Sequence, residues 1–186
     1  MQRRSLLTAT LTSAVATAWA PTLWAGSGLA AQARRGGVLL IRHASTEPGV
    51  GDPPGFRLGQ CSTQRNLSDV GRAEARAMGQ WFRRQGLQAQ AVRSSQWCRC
   101  QDTARIAFSR FEDWPALNST FADQGDAPGQ LRALRERLQT LPPGVLEVWI
   151  THQVIMTGLT GVWPATAEGF VVDRRGDLLA RGMMAA

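Results

Sequence analysis

The chain has no lysine and no tyrosine, and only two histidines and three cysteines among its 186 residues. Every one of its 21 basic residues is therefore arginine, which against 14 acidic residues leaves a net charge of +7. Arginine without lysine fits a compositional bias as well as a binding role. No basic run exceeds Arg-Arg and no arginine–aromatic repeat occurs, so nucleic acid is the weakest anionic partner to expect. Cys61, Cys98 and Cys100 form no C-x-x-C pair, which argues against a structural zinc site. In an oxidising compartment one bridge from Cys61 to Cys98 or Cys100 could form; three free buried thiols are the alternative. There is no P-loop and no acidic cluster suited to magnesium. No long polar tract or internal repeat is present, and 44% of residues are hydrophobic, which excludes disorder and indicates one domain with a real core.

What is present begins with Arg3-Arg4, followed by an uncharged Ala/Thr/Leu-rich run to Ala33. This pattern reads as a twin-arginine-type signal peptide over residues 1–33, with small-x-small sites at Gly28-Leu29-Ala30 and Ala31-Gln32-Ala33. Pro21, Gly26, Ser27 and Gly28 interrupt the run and count against a lasting membrane helix. The expected product is an exported domain over residues 34–186, periplasmic or secreted, with no stable membrane insertion after cleavage.

Gly37 to Ile41 is a continuous apolar run, suited to a strand buried on both faces of a parallel sheet. The segment from Glu47 to Arg65 holds Pro48, Pro53, Pro54 and four glycines, a long loop of the kind that covers a site. Ser68 is placed to cap a helix reaching Gln85, with Val70, Ala73, Ala77, Met78, Trp81 and Phe82 near one face. A short strand is expected from Ala91 to Ser95, a helix from Gln96 to Phe108, and another brief strand around Ala116 to Asn118. Leu131, Leu134, Leu138 and Leu141 mark a helix over residues 128–141. Val145 to Thr151 is a third clear apolar strand, followed by a short helical stretch and a terminal β-hairpin around Arg174-Arg175-Gly176. Strand and helix alternate, so the expected fold is α/β: a three-layer α/β/α sandwich with a mostly parallel central sheet.

Both histidines, His43 and His152, stand just after apolar strands, at the ends where open α/β sheets form their ligand crevice. Arg42 flanks the first, and Arg99 opens the helix after the second strand. Guanidinium forks match phosphate oxygens, and a neutral imidazole can attack phosphorus without a metal or other cofactor.

These residues resemble the histidine phosphatase superfamily of phosphoglycerate-mutase-like proteins. Arg42-His43-Ala44-Ser45-Thr46 is similar to its Arg-His-Gly-x-Thr signature, with alanine at the glycine position. Ser94-Ser95-x-x-x-Arg99-x-x-x-Thr103-Ala104 resembles the second element and Ile150-Thr151-His152 the third. Asn66-Leu67-Ser68-x-x-Gly71 resembles the approach to the first long helix. The resemblance implies that His43 becomes phosphorylated and that Arg42, Arg99 and His152 bind the phosphoryl group; Thr46 and Arg65 are further candidates for substrate binding, Arg65 as an extension of the anion pocket. Residues Cys61 to Ser68 and Trp97 to Cys100 also resemble an exported branch that includes lipopolysaccharide heptose-phosphate phosphatases. Leu117-Asn118-Ser119 departs from the pattern, with serine where a glutamate acid is expected; Asp126 is the substitute to test, then Asp123, with Glu47 and Asp52 on the long loop behind them. Arg57 and Arg93 default to surface arginines, and Trp81, Trp97 and Trp149 to core or pocket wall.

The function this implies is metal-independent hydrolysis of a small phosphomonoester or phosphorylated glycan through a phosphohistidine. A non-catalytic anion-binding relative and a mutase-type phosphotransferase are the alternatives.

Overall fold

The computed structural model describes residues 25–184. Arg3, Arg4 and the apolar run up to Trp24 lie outside the described residues. The first described element is α1 (Ala25–Ala33). β1 (Gly37–Arg42) follows, then a long loop with a 3-10 turn at Cys61–Thr63, and α2 (Asp69–Arg84). β2 (Ala91–Ser94), α3 (Cys98–Phe108) and the two-residue β3 (Glu112–Asp113) come next. The chain then runs through α4 (Ala127–Thr140), β4 (Leu146–Thr151), α5 (Gln153–Thr160), β5 (Glu168–Val172) and β6 (Leu178–Met183).

One sheet forms in the order β3-β2-β4-β1-β5-β6. Its first four strands are parallel, and β5 and β6 add the antiparallel hairpin at one edge. Successive strand side chains face opposite ways, so Leu39 and Ile41 join one hydrophobic layer with α1, α2 and α3, while Val38 and Leu40 join the other with α4 and α5. That makes the expected three-layer α/β sandwich. β1 and β4 are mostly apolar because both of their faces are covered; the one buried charge on β4, Glu147, is paired with Arg93 and Arg137.

Several local expectations shift. The strand expected around Ala116 to Asn118 is instead a 3-10 turn at Pro115–Leu117, preceded by β3. Pro115 cannot donate to a ladder, and Asn118 N–H closes the turn on its carbonyl at 3.0 Å. The buried stripe of α2 runs through Gly71, Ala75, Met78 and Trp81, leaving Val70 64% exposed. Ser68 does cap this helix, accepting from Gly71 N–H at 3.2 Å. Gly71 itself lies so close to the β1–α2 loop that a Cβ there would stand 1.8 Å from the Ser45 carbonyl oxygen. That contact fixes the loop after His43 against the helix.

The segment expected to be removed as far as Ala33 includes α1. Leu29, Ala30 and Ala33 of that helix are buried in the core layer shared with α2 and α3.

Candidate active site

Strand register assembles the site. β4 lies between β1 and β2 in parallel, with Arg42 opposite Thr151 and Ser94 opposite Ile150. Backbone bonds carry the pairing one step further, from His43 N–H to Thr151 O at 3.0 Å and from Ser95 N–H to Ile150 O at 2.9 Å. His43, Ser95 and His152 therefore emerge side by side where three neighbouring strands end. The two imidazole centroids are 5.4 Å apart, and Trp97 stands edge-on to His152 at 5.3 Å.

His43 is 6% exposed, and its Nδ1 lies 2.9 Å from the Ala44 carbonyl oxygen. A carbonyl can only accept, so Nδ1 carries the proton and Nε2 keeps its lone pair. Burial, aided by the positive charge of Arg99, pushes its pKa down to about 3, so the ring is neutral near pH 7. Burial and Arg99 likewise hold His152 well below the ordinary histidine range. Its Nε2 lies 2.8 Å from Ser95 Oγ, which also reaches Asn118 Oδ1 at 3.2 Å. Thr103 ties the arginine helix to the histidine loop: its Oγ1 accepts from Ala44 N–H at 3.1 Å and donates to Arg99 O at 2.7 Å.

Arg42 and Arg99 line the same cavity, of about 380 Å³. The Nε–H groups of both are buried with no hydrogen-bond partner among the described residues. A buried orphan donor is costly, and two guanidinium donors of this kind beside two imidazoles suit an oxyanion with several acceptor oxygens. Arg65 also lines the cavity but holds the loop, donating to Thr46 Oγ1 at 2.7 Å, Gly51 O at 2.8 Å and Gly49 O at 2.9 Å. Thr46 thus borders the site through Arg65.

The carboxylate at the site is Asp52. One Arg99 terminal nitrogen donates to its two oxygens at 2.8 and 3.1 Å, Trp97 Nε1–H donates at 3.0 Å, and Arg65 backbone N–H at 3.0 Å. Burial alone would raise the Asp52 pKa; these donors outweigh it and hold the group below the usual aspartate value. Both partners of the ion pair are 5% exposed at the side chain.

Asp126, the acid expected first, does not reach the site. It is exposed and caps α4, accepting from Gly129 N–H at 3.0 Å. Asp126-Ala127-Pro128 is a helix start, with the proline in the first turn. Asp123 is exposed on the same segment, and Glu47 is exposed on the long loop. Ser119 lines the cavity, so the position expected to hold glutamate is at the site but carries a hydroxyl. Arg57 is exposed, whereas Arg93 pairs with Glu112 and Glu147, away from the cavity. Trp81 and Trp149 are core. Trp97 is partly site, through its bond to Asp52.

The cysteine alternatives resolve to a Cys61–Cys98 disulfide and a buried free Cys100, whose pKa burial pushes up to about 12. The bridge fastens the end of the long loop to the first residue of α3, next to Arg99. Among the described residues no His/Cys/Asp/Glu cluster could hold a metal ion, and no helix is long and apolar enough to cross a membrane.

Residues 38–120 match the family model of the histidine phosphatase superfamily (branch 1). This stretch carries Arg42, His43, Asp52 and Arg99; His152 lies beyond it and reaches the site from the end of β4. Solved structures with the same fold include the protein histidine phosphatase SixA complexed with tungstate, 20% identical, with a TM-score of 0.55 over 79% of this chain and 96% of that one. TTHB049 from Thermus thermophilus is another, 18% identical, with a TM-score of 0.51 over 77% of this chain and 97% of that one. No curated protein sequence matches the chain.

Proposed function

We propose that the protein is a metal-independent phosphatase that hydrolyses a phosphomonoester through a phosphohistidine on His43. The observation that carries this reading is a neutral, buried His43 with Nε2 unprotonated, lining one cavity with Arg42 and Arg99, whose Nε–H groups are buried without a partner among the described residues. In the first step Nε2 attacks phosphorus and the P–O ester bond breaks, while the arginines and His152 hold the phosphoryl oxygens. Asp52 gives the departing alkoxide its proton. Water then attacks the phosphohistidine, losing a proton to the Asp52 carboxylate; the P–N bond breaks, releasing inorganic phosphate and neutral His43.

For Asp52 to act as an acid it must be protonated, and substrate supplies the reason. A phosphoryl dianion takes the Arg99 donors away from Asp52 and sets negative charge beside it, which raises its pKa. His43→Ala is expected to abolish both phosphate release from a simple ester and any acid-labile phosphoenzyme. Full activity in that variant would end this reading.

Ser119 favours one second reading, a non-catalytic anion binder that lacks the usual acid. Saturable phosphate or vanadate binding without turnover is its signature. The substrate class drawn from the exported branch that Cys61 to Ser68 resembles is a phosphorylated glycan, a narrower proposal than phosphomonoester hydrolysis. Export through the twin-arginine-type signal is likewise a proposal, supported by the Cys61–Cys98 bridge, since disulfides persist in oxidising compartments.

A further inference from the structure

Seven large apolar side chains are exposed among the described residues, and three of them meet at the mouth of this one cavity. Val50 is 89% exposed, Trp163 66% and Phe121 45%. They come from three separate segments: the long β1–α2 loop, the α5–β5 connection, and the stretch before α4. A lone exposed hydrophobic residue is ordinary, but convergence of three from distant segments on one opening marks a binding surface. Phe121 also joins two of the segments, since a Cβ at Gly51 would touch its ring at 3.4 Å.

The charged side chains of the lining are Arg42, Arg65, Arg99 and Asp52. The rest of the wall offers Ser119, Gln124, Gln153 and Val154, with no charged group. A ligand seated on the guanidinium and imidazole floor by its phosphoryl end must direct its other end past the Trp163, Phe121 and Val50 side chains. At about 380 Å³ the cavity lies near the small end of the roughly 300–1,000 Å³ usual for small-molecule sites, which suits a phosphate and one compact group.

We infer that Trp163, Phe121 and Val50 form a leaving-group subsite for a small phosphomonoester whose alcohol carries a flat aromatic ring. This rests on the phosphatase reading, narrows its substrate class, and favours an aryl ester over the phosphorylated glycan. An aromatic ring gains both apolar burial and ring-to-ring contact here.

The test compares 1-naphthyl phosphate with glycerol 2-phosphate in the full chain and in Trp163→Ala and Trp163→Phe variants, with melting temperature as the check on folding. The quantity read is the ratio of kcat/KM for the aryl ester to that for the alkyl ester, which cancels any general loss of active enzyme. Removal of a stacking aromatic commonly costs about tenfold or more, so the ratio is expected to fall about tenfold in Trp163→Ala, mainly through KM, and to recover in Trp163→Phe. An unchanged ratio overturns the subsite even if both activities drop, while His43-dependent release from the alkyl ester leaves the phosphatase reading standing. A hexose phosphate that depends on Trp163 more than the naphthyl ester does would also overturn it. Absence of His43-dependent turnover of every ester removes both.

Discussion

At the scale of single residues, the site turns on a competition for Arg99. Asp52 holds one terminal nitrogen of that guanidinium and the phosphoryl group of a substrate would need it. Asp52→Asn should therefore act in opposite directions on binding and on turnover. With the negative charge gone, inorganic phosphate is expected to bind more tightly, read by titration calorimetry. With the acid gone, kcat for an alkyl phosphate should fall by about 10²-fold or more, the usual contribution of general acid–base catalysis, and by much less for an ester whose leaving group needs no proton. Weaker phosphate binding together with unchanged kcat would reject the role. This carboxylate illustrates where the linear chain was least informative. His43 and Arg42 announce themselves by following an apolar run, but Asp52 sits in a Pro- and Gly-rich loop with no periodicity. Its partner Arg99 lies 47 positions away. The loop course depends on Arg65 holding the carbonyls of Gly49 and Gly51, which no local pattern encodes.

At the scale of elements, α1 links processing to stability. Leu29 is fully buried against the sheet, and Ala30 and Ala33 are almost so. Full burial of one leucine side chain is worth about 1.5–3 kcal/mol, so a chain beginning at Arg34 should melt below one beginning at Ala25. Equal melting temperatures would show that the helix contributes nothing. If the difference is found, processing after Ala33 would leave a weakened domain, and a boundary before α1 would preserve it. Composition placed this segment with the signal because it is uncharged and rich in small residues. Those same properties let a helix lie close on β5 and β6, so composition cannot separate the two roles. The 3-10 turn at Pro115–Leu117 has a similar origin: an apolar trio reads as a strand until Pro115 removes its donor.

At the scale of the whole molecule, burying two imidazoles in a basic site links stability to pH. The folded pKa of His43 is lowered from 6.5 to about 3, and that of His152 is lowered well below 6.5. Between those limits the unfolded chain takes up protons that the folded chain refuses, so stability is full above about pH 6.5 and falls as pH drops towards 3. Asp52 and Glu147, both held below their usual values, add to the loss only in the carboxylate range further down. Melting temperature should thus decline from pH 6.5 to 5 in the wild type and decline less in His43→Asn; parallel curves would contradict it. The sequence by itself determined the α/β alternation, the strand ends bearing His43 and His152, and the spacing of Arg42 and Arg99. Those follow from local apolar runs and their breaks, which a linear chain displays. Only the tertiary structure decided which carboxylate lines the cavity, which cysteines pair, and that Val50, Phe121 and Trp163 share one rim. Each of these is a meeting of residues far apart in the chain, set by how loops pack on the finished sheet.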